Sequence, residues 1–125
     1  MTMQLDHFNI AAPMALLETV RDFYRDVLGF EEGFRPNFQR RGFWLYAGDR
    51  PLIHLIESEQ HVAPEGPIYL DHIAFRASDL AGMKDGLDRH GVSYRSSFIK
   101  EFNMTQLFFK DPAGTGLEVN FPGES

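Results

Sequence analysis

Four ionisable side chains in this sequence are spaced as two copies of one pattern. His7 and His72 stand 65 residues apart, and His54 and Glu118 stand 64 apart. Neutral imidazoles and a carboxylate are good donors for a borderline divalent ion, and coordination positions left over would admit water or substrate. The surrounding residues repeat with them. Leu5-Asp6-His7-Phe8-Asn9-Ile10-Ala11 is echoed by Leu70-Asp71-His72-Ile73-Ala74-Phe75-Arg76, and Leu52-Ile53-His54-Leu55 aligns with Gly116-Leu117-Glu118-Val119. Between these, Leu28-Gly29-Phe30 matches His90-Gly91-Val92 at an offset of 62. Three landmarks in the same order, at nearly constant offset, mark an internal repeat.

Strand side chains alternate between two faces, so the pattern can be tested face by face. Phe8 and Ile10 oppose Leu5, His7 and Asn9. Ile53 and Leu55 oppose His54 and Ile56. Ile73 and Phe75 oppose His72 and Ala74, and Leu117, Val119 and Phe121 oppose Glu118 and Asn120. Each strand thus has an apolar face suited to a covering helix, and all four candidate ligands fall on the other. A lone His on a strand is ordinarily a half-buried polar residue, and no single one would count as a ligand. Four at matched positions of four repeated strands would converge if the two sheets cup towards each other. His61 and His90 read as structural or solvated; His90 sits at a helix C-terminus, where a cation suits the dipole. Asp6 and Asp71 each precede a His and are read two ways, as partners that orient the imidazoles or as capping and edge residues. Trp44 and Tyr46 share a face and fit a cavity wall or core packing equally.

The elements that must position these residues come in one order, used twice. Strands are expected at 4–11 and 69–76. A helix follows at 14–28, with Leu16, Val20, Phe23 and Val27 on one stripe and Gly29 as its stop. The second helix is expected at 78–90, capped by Ser78 or Asp79 and stopped by Gly91. Strands at 30–35, 42–47 and 51–57 complete the first module, and strands at 93–100, 104–110 and 116–121 the second. Asp111-Pro112-Ala113-Gly114 makes the last turn. The expected fold is α+β: one domain over 1–125, built of two tandem βαβββ modules at 1–58 and 68–122. A linker at 59–67 joins them, and curved mixed sheets cup a metal site.

Composition narrows the function. In 125 residues, 43% are hydrophobic and 14% aromatic, with twelve Phe, which suffices for a core without staples. A net charge of −6 argues against nucleic-acid backbones, which need a basic face. The absence of Cys removes disulfides, thiolate ligands and a cysteine nucleophile. The N-terminal residues lack the basic-then-apolar pattern of a signal peptide, and no apolar run reaches the ~18 residues of a membrane span. A cytoplasmic protein without membrane or nucleic-acid partners is expected.

The modules resemble the vicinal oxygen chelate superfamily, which groups glyoxalase I, extradiol dioxygenases, methylmalonyl-CoA epimerase, fosfomycin-resistance thiol transferases and bleomycin-binding proteins. The resemblance is carried by Leu5-Asp6-His7, by Phe23-Tyr24-Arg25-Asp26-Val27-Leu28-Gly29-Phe30 and by Leu70-Asp71-His72-Ile73-Ala74-Phe75. The closing run from Phe108-Phe109-Lys110-Asp111-Pro112 to Gly116-Leu117-Glu118-Val119 completes it. It implies a small substrate chelated through vicinal oxygens to one divalent ion, of Zn, Ni, Co, Fe or Mn, held by His7, His54, His72 and Glu118. Glyoxalase I-like enzymes fill all four positions, and this chain does so too, with His54 where Glu is typical. The implied activity is that of a metal-dependent lyase or isomerase. Glu118, the one carboxylate of the four, is then both ligand and proton-transfer base. The resemblance also implies a homodimer in which His7 and His54 of one chain complete a site with His72 and Glu118 of another. Two alternatives stand beside it. An extradiol-type dioxygenase uses only the equivalents of His7, His72 and Glu118, and a non-catalytic small-molecule binder lacks the ligands. Arg35, Arg40, Arg41 and Arg95 are candidates for an anionic substrate or plain surface charges.

Overall fold

The computed structural model describes residues 1–125. The chain divides into two compact units, Met1–Ala63 and Pro64–Ser125. The first holds β1 (Phe8–Ala12), α1 (Met14–Asp26), β2 (Glu31–Gly33), β3 (Gly42–Ala47) and β4 (Arg50–Glu57). The second holds β5 (Ile73–Arg76), α2 (Leu80–Arg89), β6 (Arg95–Ile99), β7 (Met104–Lys110) and β8 (Gly116–Pro122), with a 3-10 turn at Lys100–Phe102. Both repeat the expected βαβββ order. The sheets run β1-β4-β3-β2 and β5-β8-β7-β6, each with one parallel pair (β1–β4, β5–β8) and otherwise antiparallel.

The expected cupping is not found. Each sheet is an open four-stranded ladder that neither curls nor closes, and the outer edges of β1 and β2 in one and of β5 and β6 in the other are unpaired. Four strands are too few to bring the two edges of a sheet together; small closed barrels take about eight. The ligand positions are therefore not gathered by curvature.

Period-two burial separates the two faces as the sequence predicts. Leu45, Ile53 and Leu55 are buried in the first unit with Leu17, Val20 and Tyr24 of α1, which lies across β3 and β4. Leu107, Phe109, Leu117, Val119 and Phe121 are buried in the second unit, as are Leu80 and Leu87 of α2. Each such side chain contributes about 1.5–3 kcal/mol by leaving water. α1 ends at Asp26, and Gly29, at φ 77°, lets the chain leave in a left-handed turn. The N–H of Gly29 reaches the carbonyl of Arg25, and that of Phe30 the carbonyl of Tyr24. At α2 the cap is Asp79, which accepts from the Gly82 N–H. Glu124 adds a second cap, its carboxylate accepting from the N–H groups of Asp79 and Leu80 at 3.0 and 2.8 Å.

Both opening strands are shorter than expected. β1 starts at Phe8, opposite Ile53, so Leu5 would face Arg50, where β4 begins; the Arg50 guanidinium instead donates to the Leu5 carbonyl. β5 starts at Ile73, opposite Leu117, because β8 itself begins at Gly116. No helix is long and apolar enough to cross a membrane.

Candidate functional site

The four predicted ligands fall into two pairs, one in each unit, built by the same register. Asn9 of β1 lies opposite His54 of β4, and His7 precedes Asn9 by two residues. Ala74 of β5 lies opposite Glu118 of β8, and His72 precedes Ala74 by two. Each pair thus meets diagonally across the parallel strands, on the face away from the buried core.

In the second unit the contact is direct. Nε2 of His72 stands 3.0 Å from Oε1 of Glu118. Glu118 is 9% exposed, and its other oxygen, Oε2, accepts from Nδ2 of Asn120 at 2.8 Å and Nε2 of Gln106 at 3.1 Å. These two amides sit opposite one another on β7 and β8 and hold Oε2, leaving Oε1 for other partners. Nδ1 of His72 donates to the Asp71 carboxylate at 2.8 Å. That bond raises the imidazole above its ordinary pKa of 6.5, against a smaller effect of burial and with help from Glu118.

In the first unit the rings of His7 and His54 stack, with centroids 3.7 Å apart and planes 12° from parallel. Trp44, paired with His54 across β3–β4, continues the stack at 4.0 Å and 12°. Nδ1 of His7 donates to Asp6 at 2.6 Å, as His72 does to Asp71. His54 differs: its Nε2–H donates to the Pro51 carbonyl at 3.1 Å, which leaves Nδ1 with the lone pair. Burial, then the nearby charge of His7, push His54 below its ordinary pKa, so its ring is held neutral.

The donor set fits a divalent ion in kind. The Asp bonds of His7 and His72 fix the nitrogen that carries hydrogen and leave Nε2 to ligate, the usual way a second carboxylate orients a metal-binding imidazole. Two donors at ~2.1 Å from one ion and at right angles to each other would stand about 3 Å apart. The His72–Glu118 separation is of that size. Neither unit by itself gathers three or more His, Asp or Glu side chains around one point. The remaining histidines are engaged elsewhere, His61 through Nδ1 with the Ser58 hydroxyl and His90 through Nδ1–H with the Gly86 carbonyl, both at 2.8 Å.

Gln106 and Asn120 are the residues that sequence reasoning missed. Asn120 was visible as a face-mate of Glu118, but Gln106 joins it only through the β7–β8 register. At the equivalent place in the first unit stand Gly42 and Ile56, so the amide pair belongs to the carboxylate half alone.

The profile of the Glyoxalase/Bleomycin resistance protein/Dioxygenase superfamily matches residues 4–119. The chain belongs to this superfamily. Among solved structures it is similar to a glyoxalase family protein from Bacillus anthracis, at 24% identity and a TM-score of 0.77, over 98% of this chain and 97% of that one. It is also similar to an integron cassette protein from the mobile metagenome of the Halifax Harbour sewage outfall. There the identity is 28% and the TM-score 0.66, over 92% and 97%. A fosfomycin resistance protein from Listeria monocytogenes, solved with Mn(II) and dihydroxypropylphosphonic acid, shares the fold at 15% identity and a TM-score of 0.75, over 98% and 94%. No curated protein matches the chain significantly.

Proposed function

We propose that the chain is a glyoxalase I-like lyase or isomerase whose His7, His54, His72 and Glu118 hold one divalent ion. The observation that carries this reading is the state of Glu118. It is nine-tenths buried, its Oε2 is held by two amide N–H groups, and its Oε1 faces an oriented imidazole. When bound, the ion supplies Lewis acidity to a substrate chelated through vicinal oxygens. The chain supplies the rest. Asp6 and Asp71 fix the tautomers of His7 and His72, and burial keeps His54 neutral. Glu118 would take a proton on Oε1 from the hydroxyl-bearing carbon and return it to the adjacent carbonyl carbon, while the hydroxyl proton passes to the former carbonyl oxygen. Gln106 and Asn120 keep its carboxylate from rotating as it does so. Mn(II) in the fosfomycin resistance structure supports a divalent ion in this fold, without naming the ion here.

We propose that the two pairs are half-sites and that the modules pair as a homodimer to join them. Leu5, Tyr69 and Leu70 support this. They are exposed apolar residues at the matched starts of the two modules, beside unpaired strand edges.

His54 favours a second reading. Its Nε2 is spent on Pro51 and its ring is packed between His7 and Trp44. Without it, His7, His72 and Glu118 make the two-His-one-carboxylate set of extradiol-type dioxygenases. Assays separate the two: hemithioacetal turnover with Ni(II), Zn(II) or Co(II), against catechol cleavage with Fe(II), prepared anaerobically and started with oxygen. The first reading requires activity in the former and none in the latter.

A further inference from the structure

The stack of His7, His54 and Trp44 does not stop at β3. Phe38, in the loop between β2 and β3, lies 6.2 Å from Trp44 and tilts 44° to it. The Arg35 guanidinium lies over Phe38, 5.0 Å from its centroid. Gly42 is confined chiefly by the Leu55 carbonyl, which a Cβ there would overlap, and Nη2 of Arg35 would stand 3.2 Å from the same Cβ. Gly42 lies two residues from Trp44 on β3, so the two share a face. A row from Arg35 through Phe38, Trp44 and His54 to His7 therefore crosses one face of the sheet.

Three features of this row point to a ligand. Rings stacked across neighbouring strands stand on edge, so they present their edges outward, and the edge is the positive part of an aromatic quadrupole. Trp44 makes no hydrogen bond through its indole N–H within the chain. Arg35 has five N–H donors but gives only one hydrogen bond, from Nη2 to the Arg40 carbonyl at 3.0 Å. Its Nε is buried with no acceptor at all. A guanidinium held in place with donors unspent, beside positive ring edges and a free indole N–H, is built to receive an oxyanion. Its planar fork matches a carboxylate. In a chain of net charge −6, such a strip is specific rather than a general basic surface.

We propose that Arg35, Phe38 and Trp44 bind the carboxylate end of the substrate, which is a small organic acid. This rests on the proposed metal site, of which His54 is a part: the acid's other oxygens lie towards the His54 end of the row. Arg35 is then the residue that selects the acid over its neutral analogues.

Trp44 is the only tryptophan, so its fluorescence reports on the strip directly. Metal-free protein is titrated with benzoate and, separately, with benzamide of the same shape and no charge, at constant ionic strength. Benzoate gives a saturable change at concentrations where benzamide gives none. Arg35→Gln weakens benzoate about tenfold, as expected for loss of a charge-assisted pair, and Arg89→Gln, an exposed position of α2 in the other unit, changes nothing. Equal responses to benzoate and benzamide, no saturable response to benzoate, or wild-type affinity in Arg35→Gln overturns the proposal. The comparison of the two probes needs no variant, so it decides even if Arg35→Gln fails to fold. Because no ion is present, failure here is separate from failure of the metal site, which ion loading tests on its own.

Discussion

Glu118 meets His72 across two parallel strands, Oε1 to Nε2 at 3.0 Å, with its remaining oxygen closed off by Asn120 and Gln106. The same diagonal joins His54 to His7 in the first unit, where two stacked rings replace the imidazole–carboxylate pair. One register repeated in two modules thus gives two pairs of different electrostatic character.

The two shifted histidines should titrate in opposite senses in the metal-free protein. His72 is raised, chiefly by its Asp71 bond, and His54 is lowered, chiefly by burial. As pH falls, His72 should protonate above pH 6.5 and His54 below it, read by NMR of the imidazole protons. The sign for stability follows from linkage. The His72 contribution is complete below pH 6.5 and is lost as pH rises through its folded value. That of neutral His54 is complete above pH 6.5 and is lost as pH falls through its own. Asp71→Asn should bring His72 down towards 6.5; an unchanged titration would refute the role given to Asp71.

Asn120→Ala and Gln106→Ala should each weaken metal affinity by about 10–100-fold, the usual cost of losing a group that orients a ligand. A purely structural role would lower thermal stability and leave the affinity of the folded fraction alone. Isothermal titration with Zn(II) below the melting point separates these results.

Much of this was legible because the pattern is periodic. Alternation along four strands placed Ile53, Leu55, Leu117 and Val119 on the core face and the four candidates on the other. The Asp6–His7 and Asp71–His72 bonds were one of two readings left open by the sequence. Strict alternation sends adjacent side chains to opposite faces, but both pairs precede the paired strands and are free of the pleat. Gln106 escaped because cross-strand register is not written in either strand alone. The cupping was wrong for a related reason. Side-chain pattern says which face is apolar, whereas closure depends on strand number and edge pairing.

For His54→Ala, a fourth-ligand role predicts metal affinity lower by about tenfold or more, since a ligand matters at least as much as its supporting partner. Co(II) absorbance reads the change. Unaltered affinity with altered turnover would instead assign the three-ligand set of His7, His72 and Glu118.

If sites are shared between two copies, inactive His7→Ala and inactive Glu118→Ala chains should complement each other after reversible dissociation and mixing. In a mixed dimer one site collects both lesions and the other none. Random twofold pairing leaves about half the dimers mixed, so about a quarter of all sites should recover. No recovery, or a monomer by sedimentation, would count against shared sites.

The most direct measurement is the ion content of the folded chain. Apo-protein loaded with Zn(II) or Ni(II), desalted and analysed for metal should hold about one ion per chain, as one four-donor set per chain requires. The double variant His72→Ala/Glu118→Ala, treated alike, should hold almost none. Folded wild-type protein that retains no ion, or a double variant that retains as much as wild type, would contradict the assignment of these residues.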